Sequence, residues 1–198
     1  MSSLILSSPV APVPLEDGAD VSWLHRARPG EDQGLHSACS LFAMANWGQI
    51  KAGTRATSSD CIALWLEGKR RFRRLDGLTI PEAFELAREA GWLGAVNRIL
   101  PTTDTVLLHD QPLIAGYAVT PAWDTVSSAG CLDHAAPDRP VRDYHAVLIV
   151  AQGELALAPN GPWVYIENSW GERWGHKGFG VLSYALHLKL CKELWLII

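Results

Sequence analysis

The chain has 198 residues, enough for one domain with its own hydrophobic core or for one domain of two closely packed lobes. Hydrophobic residues make up 48% of it and charged residues 19%, a balance that excludes an intrinsically disordered protein. The net charge of −4 argues against nucleic acid or an anionic membrane surface as a partner, and no apolar run is long enough to span a membrane.

Residues 1–20 are rich in proline and serine, and they predict an irregular arm before a single domain of residues 21–198. The apolar run in this arm is unlike a signal peptide, because it lacks a basic start and prolines interrupt it. The four cysteines form no CxxC pair, so free thiols are expected. These features favour the cytoplasm, and they leave export as an effector open.

Three helices are predicted in the first half of the chain from apolar residues that recur at helical spacing. The first ends at a glycine, the second ends in a basic run, and the third begins with a capping box and a proline. Basic side chains complement the negative end of a helix dipole, so the run needs no polyanionic partner. The helices are expected over residues 37–52, from 58 to the basic run at 69–74, and over 79–91.

The second half of the chain changes to short apolar segments, partly β-branched, which turn-forming residues separate. Antiparallel strands are therefore predicted at 112–119, 146–150, 164–167, 179–182 and in the C-terminal ELWLII. Helices followed by strands indicate an α+β fold. A helical lobe of about residues 35–100 and a β lobe of about 101–198 are expected to face each other across a cleft.

A cysteine, Cys39, stands just inside the start of the first predicted helix. The unpaired N–H groups and the dipole at a helix start favour the thiolate, which is the nucleophilic form of cysteine. Cysteine is also an ordinary core residue of apolar helices, so this position alone leaves both interpretations open.

Two residues of the second half could support a cysteine nucleophile. His145 stands at the mouth of a predicted buried strand, and Asn168 directly follows another. An asparagine amide can hold the far nitrogen of a histidine ring without competing for its proton, and Trp170 is close enough in sequence to cover that bond. Each residue singly has an ordinary structural explanation. Their joint occurrence in this order predicts a cysteine–histidine–asparagine centre.

Three segments carry a resemblance to a known family. Gln33-Gly34 precedes the cysteine, HAV begins at His145, and NSWGxxWGxxGF begins at Asn168. In content and order they resemble the papain family of cysteine peptidases. The segment of residues 76–83 and the C-terminal end of the chain look more like the compact bacterial members of this family, which lack a prosegment, than like plant or lysosomal enzymes. The resemblance runs from about Trp23 to the C-terminus, and it implies a papain-like two-lobed fold with an active-site cleft between the lobes.

The resemblance implies a role for each matching position. Cys39 would be the nucleophile, and His145 would be the general base that later protonates the leaving amine. Asn168 would orient His145. Gln33 would form the oxyanion hole together with the Cys39 backbone N–H.

Three further residues would bind substrate at the cleft according to the same resemblance: Gly77, Tyr144 and Trp170, of which Trp170 would also shield the histidine–asparagine bond. No cofactor and no metal is implied, and the expected partner is a protein or peptide substrate. The residues before Trp23 are too few for an inhibitory prosegment, so activity would be controlled from elsewhere, for instance by a regulatory partner, or not at all.

Two positions depart from the family pattern. His36 stands where the family has a disulfide-forming cysteine, and Ser40 stands where it has an aromatic residue after the nucleophile. No disulfide is therefore expected there, and the cleft floor beside Cys39 should be altered. The separation of Cys39 from His145 in the sequence is also shorter than is usual in the family, so the loops between the lobes are expected to be shortened.

The sequence predicts a peptidase that hydrolyses peptide or isopeptide bonds through a thioester on Cys39. Two alternatives stay open at this point. The same acyl-enzyme could be passed to an amine, which would make the protein a transpeptidase or acyltransferase, or the fold could be a catalytically silent binding module. A metal site formed by Cys39, His36 and His176 has no ligand spacing in its favour.

Overall fold

The structure, a computed structural model, describes residues 21–27, 31–103, 111–126, 128–132, 140–153 and 162–198, so the arm predicted over 1–20 lies outside it. The described residues form four helices and an antiparallel sheet of seven strands. The helices are α1 (Cys39–Ala52), α2 (Ser58–Phe72), α3 (Ile80–Glu89) and α4 (Tyr184–Leu190). The strands are β1 (Val21–Ser22), β2 (Ile99–Thr102), β3 (Leu113–Val119), β4 (Asp143–Gly153), β5 (Trp163–Glu167), β6 (Phe179–Ser183) and β7 (Cys191–Ile197).

The first three helices confirm the prediction together with their boundary residues. α1 ends at Gly53, which takes the left-handed conformation at a φ of 67° that glycine adopts at little cost. α3 begins with a reciprocal capping box between Thr79 and Glu82. α2 has the same device, formed by Thr57 and Asp60, one residue before its predicted start. Side-chain oxygens thus satisfy backbone N–H groups at the starts of both α2 and α3.

The basic run at the end of α2 faces the acidic side of α3. Arg71 forms ion pairs with Glu85 and with Glu89, the second at 2.7 Å. Arg74 pairs with Glu82 at 2.8 Å. These pairs are largely exposed, so each contributes little to stability, but together they fix how α2 lies against α3. The basic run thus finds its acidic partners within the protein, which agrees with the interpretation of the run as a helix end that needs no polyanionic partner.

The strands follow the order β2-β7-β3-β4-β5-β6, and β1 pairs with β4. All neighbouring strands are antiparallel. β3 to β6 and the C-terminal β7 confirm the predicted strands. The sequence did not predict β1, β2 or α4, which are short and depend on contacts with distant parts of the chain. The lobe boundaries stay a prediction, since β2 begins at Ile99 and β1 joins the sheet from the N-terminal side of the helices.

The sheet has a hydrophobic core on each face. On one face, α1 packs against β4 and carries α2 and α3 outside it, with Leu41, Phe42 and Met44 fully buried. On the other face, a 3₁₀ helix (Pro121–Thr125) and α4 cover a second cluster centred on Trp123. The helical lobe and the β lobe therefore meet where α1 begins and β4 emerges, as expected for the α+β papain-like arrangement.

A buried histidine packed beside the second core is expected to make the fold sensitive to acid. His187 of α4 is 3% exposed, and its Nδ1 lies 2.5 Å from the hydroxyl oxygen of Tyr117. Burial lowers the pKa of His187 from 6.5 to about 4, because the charged ring loses its hydration. The unfolded chain therefore binds an extra proton between these two values. The free energy of unfolding should be highest above pH 6.5 and should fall through this window as the pH is lowered.

Replacing His187 with glutamine is expected to reduce this pH dependence. The histidine accounts for a loss of at most about 3 kcal/mol between neutral and acidic pH. Burial also lowers the pKa of His145 to about 4, so some dependence should persist in the variant. Urea denaturation near pH 7 and near pH 4.5 measures the change. The matched control is His176→Gln at an exposed position. If the free energy of unfolding fell equally between about pH 7 and about pH 4.5 in both variants, the assignment to His187 would be contradicted.

Candidate active site

The candidate nucleophile, Cys39, is the first residue of α1 and is half-buried. The N-cap residue, Ala38, offers no side-chain hydrogen bond, so backbone N–H groups of the first turn are left for other acceptors. The N–H groups of Cys39 and Ser40 interact with the Cys39 sulfur, and so does the N–H of Ala146 on β4. The sulfur therefore lies against the strand residue that follows His145.

His145 and Asn168 are joined by a buried hydrogen bond. His145 is the third residue of β4, and Asn168 directly follows β5, which pairs with β4. His145 Nε2 lies 2.6 Å from Asn168 Oδ1. The Trp170 ring lies over the imidazole with the ring centroids 4.6 Å apart, and the two hydrogen-bonded side chains are buried. The structure thus brings together the histidine, the asparagine and the tryptophan that the sequence grouped.

The Asn168 amide presents its oxygen, not its nitrogen, to His145. The same Oδ1 accepts the backbone N–H of Ser169 at 2.8 Å, and a backbone N–H can only donate. His145 Nε2 must therefore carry the proton in its bond to Asn168. In the neutral ring, Nδ1 is then the nitrogen that can accept a proton.

Gln33 is held from two sides next to the cleft. Its Oε1 accepts the Ser169 hydroxyl at 2.6 Å, and its Nε2 donates to the His36 carbonyl at 2.6 Å. Its backbone N–H also donates to the Ser169 carbonyl at 2.9 Å. These bonds engage the amide oxygen and one of its two N–H groups. The second N–H belongs to a side chain that lines the same cavity as Cys39.

Burial disfavours an isolated charge on either member of the Cys39–His145 pair. It raises the pKa of the Cys39 thiol, although three backbone N–H groups lower it. It lowers the pKa of His145 to about 4, although the hydrogen bond to Asn168 raises it. The N–H groups at the helix start thus favour the thiolate, as expected from the sequence, but burial outweighs them for a thiolate without a nearby positive charge. Transfer of the thiol proton to the imidazole creates both charges together, and their attraction is strong where water is excluded.

The cleft has a cavity on each side of this pair. The larger, of about 360 Å³, includes Gln33 and Trp170 in its lining. The smaller, of about 110 Å³, lies between the loop before α3 and the sheet. Cys39, Tyr144 and His145 line both cavities. A chain bound along the cleft could therefore occupy space on both sides of the sulfur.

Of the predicted substrate-binding residues, Tyr144 lines the cleft and Gly77 does not. Tyr144 is exposed and stands between the two cavities. Gly77 lines neither cavity and packs instead on Ser37, where an added Cβ would lie 3.0 Å from the Ser37 carbonyl oxygen. It allows the loop before α3 to approach the segment that leads to Cys39. The binding role of Gly77, Tyr144 and Trp170 stays a prediction.

The two departures from the family pattern have local partners. The buried Ser40 hydroxyl donates to the Leu78 carbonyl at 3.1 Å, which ties the start of α1 to the loop before α3. The His36 ring packs edge-on against Trp65 of α2 with centroids 5.3 Å apart. None of the four cysteines, all in the described part of the chain, forms a disulfide. The cleft floor beside Cys39 is therefore held by a hydrogen bond and a ring contact.

Several residues of the site were missed by sequence reasoning. Trp123 of the 3₁₀ helix stands behind Trp170, with ring centroids 6.4 Å apart, and the high tryptophan content was the one signal for it. Gly116, Lys192 and Glu193 line the smaller cavity from β3 and β7. A Cβ on Gly116 would lie 2.6 Å from Glu193 Cγ, so a larger residue there would require the Glu193 side chain to move. No local motif marks these three residues.

Two other kinds of feature are absent from the described part of the chain. No group of three or more histidine, cysteine, aspartate or glutamate side chains there could hold a metal ion. No helix there is long and apolar enough to cross a membrane.

Comparison with known proteins agrees with this geometry. A model of papain family cysteine proteases matches residues 101–192, which include His145 and Asn168. The fold is similar to that of xylellain, a cysteine protease from Xylella fastidiosa, with a TM-score of 0.68 and 14% identity over 89% of this chain and 84% of that one. No curated protein matches the chain significantly by sequence. The family match and the similar fold both support a papain-like cysteine peptidase, which is a hydrolase.

Proposed function

We propose that the protein hydrolyses peptide or isopeptide bonds through a thioester on Cys39. The thiol proton passes to His145 Nδ1, and the thiolate attacks the carbonyl carbon while the carbonyl electrons move to the oxygen. The second Nε2–H of Gln33 and the Cys39 backbone N–H stabilise that oxyanion. The C–N bond then breaks, and His145 returns its proton to the leaving amine.

The thioester is resolved by water in this proposal. His145 takes a proton from a water molecule while the water oxygen attacks the thioester carbon, and the C–S bond breaks. The released thiolate regains the proton from the imidazolium, which restores the starting state. The observation that carries the proposal is the 2.6 Å bond from His145 Nε2 to Asn168 Oδ1, because it leaves Nδ1 as the ring nitrogen that can accept the thiol proton.

A peptide-library cleavage profile of the wild type and of Cys39→Ala tests the proposal. We expect the wild type to cleave a defined subset of peptides and Cys39→Ala to cleave none of them. Cys61→Ala is a matched control, because Cys61 is buried in the helical core away from the cleft and should not affect cleavage. Identical profiles for the wild type and Cys39→Ala would overturn the peptidase assignment.

Mass spectrometry of the products, with and without an added primary amine, separates hydrolysis from transfer. Hydrolysis leaves a free carboxylate on the new C-terminus whether or not the amine is present. If the main product were an amide formed with the added amine, the reaction would be transpeptidation or acyl transfer, and the proposal of hydrolysis would be wrong. Lack of labelling of Cys39 by an epoxide thiol probe, while the folded protein binds a partner, would favour a binding module.

A further inference from the structure

The segment that carries Gln33 is a tight turn closed by His36. The backbone N–H of His36 donates to the Gln33 carbonyl at 3.1 Å, and His36 Nδ1 lies 3.1 Å from the same oxygen. In return, the Gln33 side chain donates to the His36 carbonyl at 2.6 Å. Gly34 turns the chain with a φ of 57°, and Leu35 at the tip is fully exposed. The conformation of the turn therefore depends on its two end residues.

His36 is in turn anchored to a different element. Its ring meets the ring of Trp65 edge-on, with centroids 5.3 Å apart and planes at 81°. Trp65 lies in α2 and is 8% exposed, so it is a firm support. The ammonium of Lys69, one turn further along α2, lies 4.6 Å from the centroid of the Trp65 ring and covers it from outside. The turn is thus attached to α2 by a ring contact, and none of the four cysteines is paired to hold it covalently.

The direction of the Gln33 amide depends on this attachment. Its oxygen is fixed by the Ser169 hydroxyl and one of its N–H groups by the His36 carbonyl. Only with both bonds in place does the remaining N–H keep a single direction, because an amide with one anchor can rotate or flip. Ser169 belongs to the β lobe, whereas His36 and Trp65 belong to the helical side. The amide is therefore aimed by contacts from both walls of the cleft.

We propose that His36, held by Trp65, is a positioning residue that aims the free N–H of Gln33 at the reacting carbonyl oxygen. This inference rests on the proposed function, in which Gln33 stabilises the oxyanion. His36 acts through Gln33 in this account, because its ring contacts Trp65 and its carbonyl holds the Gln33 amide. A preorganised donor costs no reorganisation during the reaction, so loosening it should slow the chemical step while substrate binding is largely kept.

A double-mutant cycle tests the coupling between His36 and Gln33. His36→Ala is expected to lower kcat by about 10- to 100-fold with little change in KM, a smaller loss than that expected for Gln33→Ala. When Gln33 is already alanine, His36→Ala should lower kcat by less than about 3-fold, since its target is gone. Equal losses in both backgrounds would show a general structural role and overturn the proposal. An unchanged kcat in the single variant would overturn it as well.

Matched variants separate the ring contact from damage to α2. Trp65→Leu removes the support of His36 and should reproduce the kcat loss of His36→Ala. Leu66→Ala changes the neighbouring, exposed position of the same helix and should leave kcat unchanged. His36→Phe keeps a ring against Trp65 and should restore part of the activity that His36→Ala loses. A Leu66→Ala variant as slow as Trp65→Leu would indicate that disturbance of α2 is the cause.

The side-chain amide of Gln33 provides a readout that needs no activity. In ¹H–¹⁵N spectra of the full chain, its two N–H signals are identified by their loss in Gln33→Ala. We expect them to be separate and slow to exchange with solvent in the wild type, and to average and exchange faster in His36→Ala or in Trp65→Leu. Unchanged signals would overturn the proposal even if no peptide were cleaved. Changed signals without peptidase activity would instead contradict the proposed function alone.

Discussion

Replacing His145 with alanine is expected to lower kcat/KM for peptide hydrolysis by on the order of 10⁵-fold, because the proton carrier of both chemical steps is removed. Burial raises the pKa of the Cys39 thiol, so without an imidazole to take its proton the sulfur stays protonated near neutral pH. Asn168 should keep its orientation, since its Oδ1 still accepts the Ser169 N–H at 2.8 Å. The measurement is steady-state hydrolysis of the best library peptide by the wild type and the variant.

The pH dependence of Cys39 alkylation tests the same proton transfer without a substrate. In the wild type, modification by iodoacetamide should already be appreciable near neutral pH, because the thiolate forms together with the imidazolium. In His145→Ala it should rise only at alkaline pH. Mass spectrometry of the peptide containing Cys39 distinguishes this sulfur from the other three. The exposed His176, changed to alanine, is the control, and identical pH profiles for the wild type and His145→Ala would contradict the ion pair.

The catalytic candidates could be predicted because each carries a local signal. The apolar pattern of α1 and the glycine that ends it predicted a helix from about residue 37, with Cys39 just inside it, and the helix begins at Cys39. Alternation of apolar segments and turns located His145 near the start of β4 and Asn168 at the end of β5. Antiparallel pairing of these two strands then brings their ends together without any further information. Local patterns thus sufficed for the residues that lie at the ends of regular elements.

The walls of the cleft could not be predicted in this way, because they depend on pairing between remote strands. The smaller cavity contains Gly116 of β3 and Glu193 of β7, which are opposite each other only because β7 inserts between β2 and β3. A glycine in a strand and a glutamate near the C-terminus have no feature that links them in sequence. The same holds for His36 and Trp65, whose contact joins a turn to the second helix. Side-chain contacts of this kind follow from tertiary packing alone.

Replacing Gln33 with alanine is expected to lower kcat by about 10²- to 10³-fold, with KM nearly unchanged. The side chain is 7% exposed and makes its hydrogen bonds to protein groups, so little of it is left to bind the ground-state substrate. Its remaining N–H gains strength only when the carbonyl oxygen becomes negative, and an interaction made only in the transition state lowers kcat and kcat/KM equally. Steady-state kinetics on the best library peptide separate the two constants.

The matched control is Gln49→Ala, which removes a glutamine of α1 whose Nε2 donates to the Arg26 carbonyl at 3.2 Å, outside the residues that line the two cavities of the cleft. Gln33→Glu sharpens the test, because a carboxylate has no N–H to donate and would repel the developing oxyanion. It should therefore be at least as slow as Gln33→Ala despite its similar size. A rise in KM with kcat unchanged in Gln33→Ala would show that the residue binds substrate in the ground state. The backbone N–H of Cys39 would then have to stabilise the oxyanion without the Gln33 amide.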